Sequence, residues 1–347
     1  MTLALTEDEH MIADAAGRLF AERAPVARLR KYRDAGDAHR HDPALWRTMT
    51  ELGFADAELN LAQRCVLAEA AGAVLASEPL GTAFFALDLL GAHPLARAIG
   101  LGRARVATAW DERGLAQPTS PRAFGRPSGE RVDVTGEKRQ VEHALEATHF
   151  LVTATVGGAF RLVLIQTGAG VDLIAADRVD LHPAATARFQ DAPGELMPSV
   201  DAGAFERALD RAAIVHCAGM LGAAQRAFEM TLDYLKTRQQ FGVAIGSFQA
   251  LQHRAARLYV ELALTRSAVS RAARAEDESL PLFASIAKVR CGETFLRVAE
   301  EAIQMHGGIG MTDEHDIGLY LKRAMVAEHL FGNSDAHRRR FARLSGF

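Results

Sequence analysis

Cysteine is scarce in this chain: Cys65, Cys217 and Cys291 are odd in number and far apart. That count and spacing exclude a disulfide framework and a Cys-x-x-Cys metal site, and they fit a reducing cytoplasm. Long apolar runs are missing too. No uninterrupted stretch reaches the roughly 18 residues that a spanning helix needs. The opening residues MTLALTEDEHMIADAAGRLF lack the basic head and continuous apolar segment of a secretion signal. Neither membrane insertion nor secretion is expected. Positive charge is not in excess: 40 Lys and Arg stand against 43 Asp and Glu, a net charge of -3, so the basic field that nucleic acid demands is lacking. No G-x-S-x-G nucleophile signature occurs. Around Gly308 and Gly310 a helical pattern precedes and the third glycine is missing, which excludes a dinucleotide fingerprint. His306 has no second His, Cys or carboxylate at ligand spacing, so no metal is expected.

What is present is the composition of an ordinary globular protein, 49% hydrophobic and 24% charged, and 347 residues exceed the usual size of one core. From Thr6 to about residue 105 the pattern is helical. Thr6 is placed as an N-cap before acidic residues, and DPALWRTMTELGF and LAQRCVLAEAAGAVL repeat apolar residues at helical spacing. From about 105 to 200 short β-prone runs alternate with turns: RVDVTG, HFLVTATV, FRLVLIQ and VDLIAA. Helical patterns then return, with Phe248, Leu251, Ala255, Leu258, Leu262, Thr265 and Val269 forming one stripe. The expected fold is α+β, mainly α: a helical domain over 1–105, a small β domain over 106–200 and a four-helix bundle over 201–347.

Two stretches carry chemistry. In RQQFGVAIGSFQALQHR, a glycine-punctuated turn holding Arg238, Phe241, Gly242 and Gly246 lies between two helices, with Ser247 placed as N-cap of the second. In AIQMHGGIGMTDEHDIGLYLKR, Gly307 and Gly308 follow Gln304 and His306, and Thr312 is of capping type. Locally, the arginine can cap a helix end and the glycines can simply end one. Arg338, Arg339 and Arg340 form a basic run that a solvated helix face explains, with an anionic phosphate partner as the alternative.

In that order and at that separation, the two stretches resemble the most characteristic C-terminal segments of the acyl-CoA dehydrogenase family. The resemblance implies FAD, held from two sides at a subunit interface. One subunit cups the flavin ring, while its neighbour brings an R-x-x-F-G turn and a Q-x-x-G-G turn to the nucleotide. Carried over, Arg238, Phe241, Gln249, Gln304, Gly307 and Gly308 are the neighbour's half. A guanidinium fork suits a diphosphate. Family chemistry removes an α-proton with a glutamate and passes a β-hydride to the flavin, giving a trans-2-enoyl-CoA. Electron-transfer flavoprotein is the implied acceptor.

The chain departs from the pattern at the base. In EHLFGNS, Phe331 stands at the glutamate's place, and Ala212 occupies the alternative position on the first bundle helix. Asp210 is the candidate substitute, although two residues along a helix turn it about 200° away; Glu206 and Glu328 are weaker candidates. The ring-cupping half is depleted as well: AWDERG, Trp110 to Gly114, stands for the T-E-P segment, and GEKRQVEH places Gln140 and Glu142 where aromatic and hydroxyl residues are usual. Three readings follow. The first is the partner subunit of a heteromeric, steroid-side-chain-type enzyme that completes another chain's FAD site. The second is a self-sufficient homo-oligomer using Asp210. The third is a non-catalytic acyl-CoA-binding or scaffold protein.

Overall fold

The computed structural model describes residues 4–112 and 118–347. Helix α1 (Glu7–Arg23) starts as the sequence predicts: the Thr6 hydroxyl accepts the Glu9 amide at 3.2 Å and the Glu9 carboxylate accepts the Thr6 amide at 3.1 Å. This box satisfies two donors that a helix start leaves open. Next come α2 (Arg28–Asp34), α3 (Pro43–Glu51), capped by Asp42, then α4 (Leu61–Ala73), capped by Asn60, α5 (Leu80–Leu90) and α6 (Pro94–Gly100).

The chain forms two compact units. One holds residues 29–59 and 77–212 and is built on a sheet of β1 (Val106–Ala109), β2 (Phe124–Ser128), β3 (Arg131–Glu142), β4 (His149–Val156), β5 (Ala159–Gln166), β6 (Val171–Ala175) and β7 (Ala184–Leu196). Strands β1 and β2 pair with β4 in parallel, and the other neighbours are antiparallel. Because β5 pairs with both β7 and β4, five strands close on one another, leaving β1 and β6 attached outside the ring. Within the ring, closure leaves no unpaired edge. Phe150, Val152, Val163, Ile165 and Phe189 fill the core. On β3, alternation buries Val132, Val134, Lys138 and Val141.

The other unit gathers residues 1–28, 60–76 and 213–347. It contains α1, α4 and most of α7 (Ala202–Thr237). A short hairpin, β8 (Gln239–Gln240) with β9 (Val243–Ala244), leads to α8 (Gln249–Ala272), α9 (Leu280–His306), α10 (Ile317–His329) and α11 (Ser334–Leu344). The α8 stripe is buried at Leu258, Leu262, Thr265 and Val269, whereas its start, at Phe248, is exposed. Helices α4 and α7 meet backbone to backbone, since a β-carbon added to Gly72 or Gly222 would strike the carbonyls of Gly219 and Glu69. The architecture is helical, then β, then helical, as the sequence patterns predict. Among the described residues no helix is long and apolar enough to cross a membrane. All three cysteines are buried and form no disulfide, and the Cys291 thiol donates to the Cys217 carbonyl at 3.4 Å.

Two capping expectations fail. Ser247 does not cap α8, because its hydroxyl donates to the Ala244 carbonyl at 2.7 Å within a 3-10 turn, and the helix begins after Phe248. Thr312 likewise donates back to Ile309, and α10 starts after Asp316.

Candidate functional site

At one end of the second unit, α7 stops at Thr237 and the chain reverses through the β8–β9 hairpin. Phe241 (φ 56°) and Gly242 (φ 81°) are its two turn residues, both left-handed, as a two-residue hairpin of this hand requires. Glycine adopts that conformation freely, but a bulky aromatic does not, and such strain is retained where surroundings or function demand it. Phe241 is 90% exposed. The Ile245 amide closes onto the Arg238 carbonyl at 2.9 Å, and the Gln252 carboxamide donates to Gly246 O at 2.9 Å, folding the turn against the start of α8.

At the same end, α9 terminates at His306, and Gly307 (φ 64°) returns its amide to the Gln304 carbonyl. The two turns are brought together by aromatic rings. Tyr234, one helical turn before Arg238, stacks on His306 at 4.5 Å and 26°, and His315 lies 4.6 Å from His306 on another side of the network. Arg238, Phe241, Gln249, Gln304, Gly307 and Gly308 are all exposed. Among the described residues, the Arg238 guanidinium and the Gln249 and Gln304 carboxamides make no hydrogen bond within the chain. A β-carbon at Gly307 or Gly308 would meet nothing within 4 Å, so the backbone there is open to an approaching group. A guanidinium, two carboxamides and bare amides form a donor set suited to a diphosphate and its nucleoside, so these residues fit the nucleotide part of FAD.

The segment expected to hold a base holds Phe331 in left-handed conformation (φ 58°). His337 Nε2 donates to its carbonyl at 2.9 Å, and its ring lies 5.3 Å from that of His216, whose Nε2 donates to Ala327 O at 2.9 Å. Glu328 faces inward, accepting the Ser334 amide at 2.8 Å, with the buried Lys288 ammonium 3.7 Å from its carboxylate and 2.8 Å from its carbonyl. Burial lowers the Lys288 pKa; Cys217 and Glu328 oppose the shift. Glu328 is thus a structural carboxylate. Asp210 and Ala212, on the first turns of α7, belong to the sheet-bearing unit, and Asp210 is 3% exposed, unlike the solvated helix-surface carboxylate that spacing alone suggests.

In that unit the AWDERG segment is described only to Glu112; Arg113 and Gly114 lie outside the described residues. Glu112 is consumed internally. It accepts the Arg122 and Ala123 amides at 2.8 and 3.0 Å and the Lys138 ammonium at 2.7 Å, while Lys138 also donates to Thr153 at 2.9 Å. Burial would raise the Glu112 pKa, but the Ala123 amide, Lys138 and the Arg122 amide together hold it below the usual carboxylate range. Glu142 pairs with Arg178 at 3.1 Å.

Sequence reasoning missed one feature. An open cavity of about 1180 Å³ in the sheet-bearing unit is lined in part by His39, His41, Trp46, Arg105 and Glu146. The buried Glu146 carboxylate meets Nδ1 of His143 at 2.5 Å, of His41 at 3.3 Å and of His39 at 3.4 Å. Burial lowers the His41 pKa, which Glu146 opposes. Sequence separations of about a hundred residues hide such a cluster from local patterns.

The sequence family described as acyl-CoA dehydrogenase, C-terminal domain, matches residues 202–345. Acyl-CoA dehydrogenase IpdE2 of Mycobacterium tuberculosis is 48% identical over 115 residues, 33% of this chain and 35% of that protein. IpdE2 of Mycolicibacterium smegmatis is 44% identical over 123 residues, 35% of this chain and 39% of that protein. The aligned part therefore spans little more than a third of these relatives. A solved structure described as a Tcur3481-Tcur3483 steroid ACAD variant superposes with a TM-score of 0.88 at 27% identity, covering 99% of this chain and 98% of that one. The ChsE4-ChsE5 complex from Mycobacterium tuberculosis superposes at 0.89 and 21% identity, with both chains fully covered. Residues 202–345 thus carry the acyl-CoA dehydrogenase C-terminal domain, and the chain shares the fold of these solved structures along its length.

Proposed function

We propose that this chain is one subunit of a cytoplasmic, FAD-dependent acyl-CoA dehydrogenase, and that it supplies the nucleotide-holding half of a site whose ring pocket and base lie on a related subunit. The observation that carries this is an asymmetry. The Arg238 and Gln304–Gly308 turns are intact, exposed and unspent, while Phe331 stands where a carboxylate is needed and Glu112 is tied into Lys138. FAD, when bound, accepts the hydride leaving the β-carbon as a base takes the α-proton. This chain's share is to bind and orient. Arg238 would hold the diphosphate, Gln249 and Gln304 would meet polar edges of the nucleoside, and the open Gly307–Gly308 backbone would admit close approach. Solved neighbours described as a two-name complex and a steroid ACAD support a heteromer acting on a bulky steroid-type acyl-CoA, with electron-transfer flavoprotein as acceptor.

Two measurements test this. The chain expressed alone should carry little flavin, whereas the assembly copurified from the native host should be yellow, with Arg238→Ala lowering its flavin content at least about tenfold, as expected for lost charge-assisted bonds. A yellow, active single-chain oligomer overturns the reading. The burial of Asp210 favours a second reading, a homo-oligomer in which that carboxylate abstracts the proton. There Asp210→Asn abolishes turnover, while in the heteromer it leaves turnover intact.

A further inference from the structure

His306 is neither a plain helix terminator nor inert core filling. It is the last residue of α9, between Gln304 and Gly307, and only 2% of it is exposed. Its Nδ1 donates to the Ala302 carbonyl at 2.7 Å, which fixes the tautomer and leaves Nε2 a bare acceptor, buried and without a hydrogen-bond partner. The ring stacks on Tyr234, and the amide of Arg238 donates to the Tyr234 carbonyl at 2.8 Å, so the stack sits directly beneath the arginine turn. His315 packs against His306 from the segment before α10, where its own Nδ1 accepts the Ile317 amide at 3.1 Å. The end of α7, the end of α9 and the segment before α10 therefore meet around one imidazole.

We propose that His306 is a positioning residue: its ring, held against Tyr234 and His315, sets the Arg238 turn relative to the Gln304–Gly308 turn so that both reach one nucleotide diphosphate. This rests on the assignment of those turns to FAD. The arrangement requires a neutral imidazole. A second proton would sit on Nε2, which has no acceptor, and would place a cation against His315. Burial holds the His306 pKa below its ordinary 6.5, the Ala302 carbonyl raises it and His315 lowers it further. Among the described residues, the titratable groups that face His306 are Tyr234 from α7 and His315, and α9 contributes the Ala302 carbonyl. Acidification below pH 6.5 therefore drives the stack apart and loosens the grip on the nucleotide.

The test follows flavin release from the copurified assembly by flavin fluorescence across that pH range, with FAD itself as the probe. His306→Phe keeps a stacking ring but no titrating nitrogen. It should hold FAD within about threefold of the native assembly at neutral pH and lose the acid-triggered release. His306→Ala should weaken FAD by about tenfold at neutral pH, the contribution of one aromatic contact of this kind. If His306→Ala does not fold, as a thermal melt would reveal, His306→Phe decides alone. A native acid profile in His306→Phe, or native affinity in a folded His306→Ala, overturns the role. Arg238→Ala separates the two levels. If it keeps its flavin, the assignment of the nucleotide turns fails. If it loses flavin while His306→Ala keeps it, only the role of His306 fails.

Discussion

Glycine to alanine inside a helix ordinarily stabilises by about 1 kcal/mol, because alanine loses less backbone freedom on folding. At Gly222, in the middle of α7, the opposite is expected. A β-carbon there would lie 1.9 Å from the Glu69 carbonyl oxygen and 2.8 Å from its carbonyl carbon, backbone atoms of α4 that no rotamer change can move. Gly72 makes the reciprocal approach, with a β-carbon 2.0 Å from the Gly219 carbonyl. Restoring ordinary contact requires the two helices to part by about 1.5 Å, in an interior packed as densely as an organic crystal. Overpacking of this kind costs about 1–3 kcal/mol or more, and with rigid backbone on both sides the upper end applies. After the propensity gain of about 1 kcal/mol is subtracted, Gly222→Ala should destabilise by about 2 kcal/mol. Gly17, exposed on α1 with nothing within 4 Å of its would-be β-carbon, is the control, and Gly17→Ala should stabilise by about 0.5–1 kcal/mol. Melting curves by circular dichroism, at equal protein concentration, read both. If Gly222→Ala melts at or above the native temperature, the close crossing of α4 and α7 is wrong.

Other perturbations follow the same logic. Burial lowers the His337 pKa to about 4, against a partial offset from the Phe331 carbonyl, while the unfolded chain titrates near 6.5. Unfolding therefore takes up a proton in that window. Stability is held above pH 6.5 and lost as pH falls toward 4, by about 3 kcal/mol for this one group. His337→Gln should flatten that part of the melting-temperature profile, and an unchanged slope would exclude the buried neutral imidazole. Lys138→Met leaves the Glu112 carboxylate without its counter-ion and should cost about 3 kcal/mol or more, read by denaturant unfolding; a neutral result would show that the pair is solvated. Glu146→Gln removes the charge shared by three imidazoles. Amide exchange over residues 37–42 should then accelerate on the order of tenfold or more, and native protection would show that the loop is held by other bonds.

Local signals were legible in the sequence. The Thr6 cap, the β-prone runs that became β3, β4, β5 and β6, and the buried part of the α8 stripe all come from neighbours within a few residues. Strand β7 was not legible. Its inward positions include Ala184, Ala185 and Ala187, small residues that fit where β3, β5 and β6 all press against one strand, and Pro193 and Gly194 break the alternation further. The Ser247 and Thr312 caps failed for a related reason: each hydroxyl lies at the end of a 3-10 turn, donating to a carbonyl three residues back, and the helix starts further along, at Gln249 and Ile317. The residues of the two glycine turns could be named from motif spacing. Their meeting could not, because it depends on Tyr234 and His306, which lie 72 positions apart and carry no mutual pattern. The burial of Asp210 is likewise a tertiary fact.

The Phe331 segment argues against reading the missing carboxylate as simple decay. A loop freed from function is expected to relax, since a left-handed bulky residue costs about 1–3 kcal/mol. Here the conformation is over-determined. The Phe331 carbonyl is held by His337, the Gly332 amide returns to His329 O at 3.2 Å, Glu328 takes the Ser334 amide, and Lys288 anchors Glu328 from beneath. Gly292 even leaves room for that carboxylate, for a β-carbon there would lie 2.1 Å from Glu328 Oε2. The backbone shape is thus maintained by buried charge and hydrogen bonds, while Phe331, at the place where the resemblance sets a glutamate, packs its ring near His216. That combination is what a chain needs if its bundle must remain superposable on a catalytic relative, for assembly and for holding a coenzyme, while proton abstraction is carried out elsewhere.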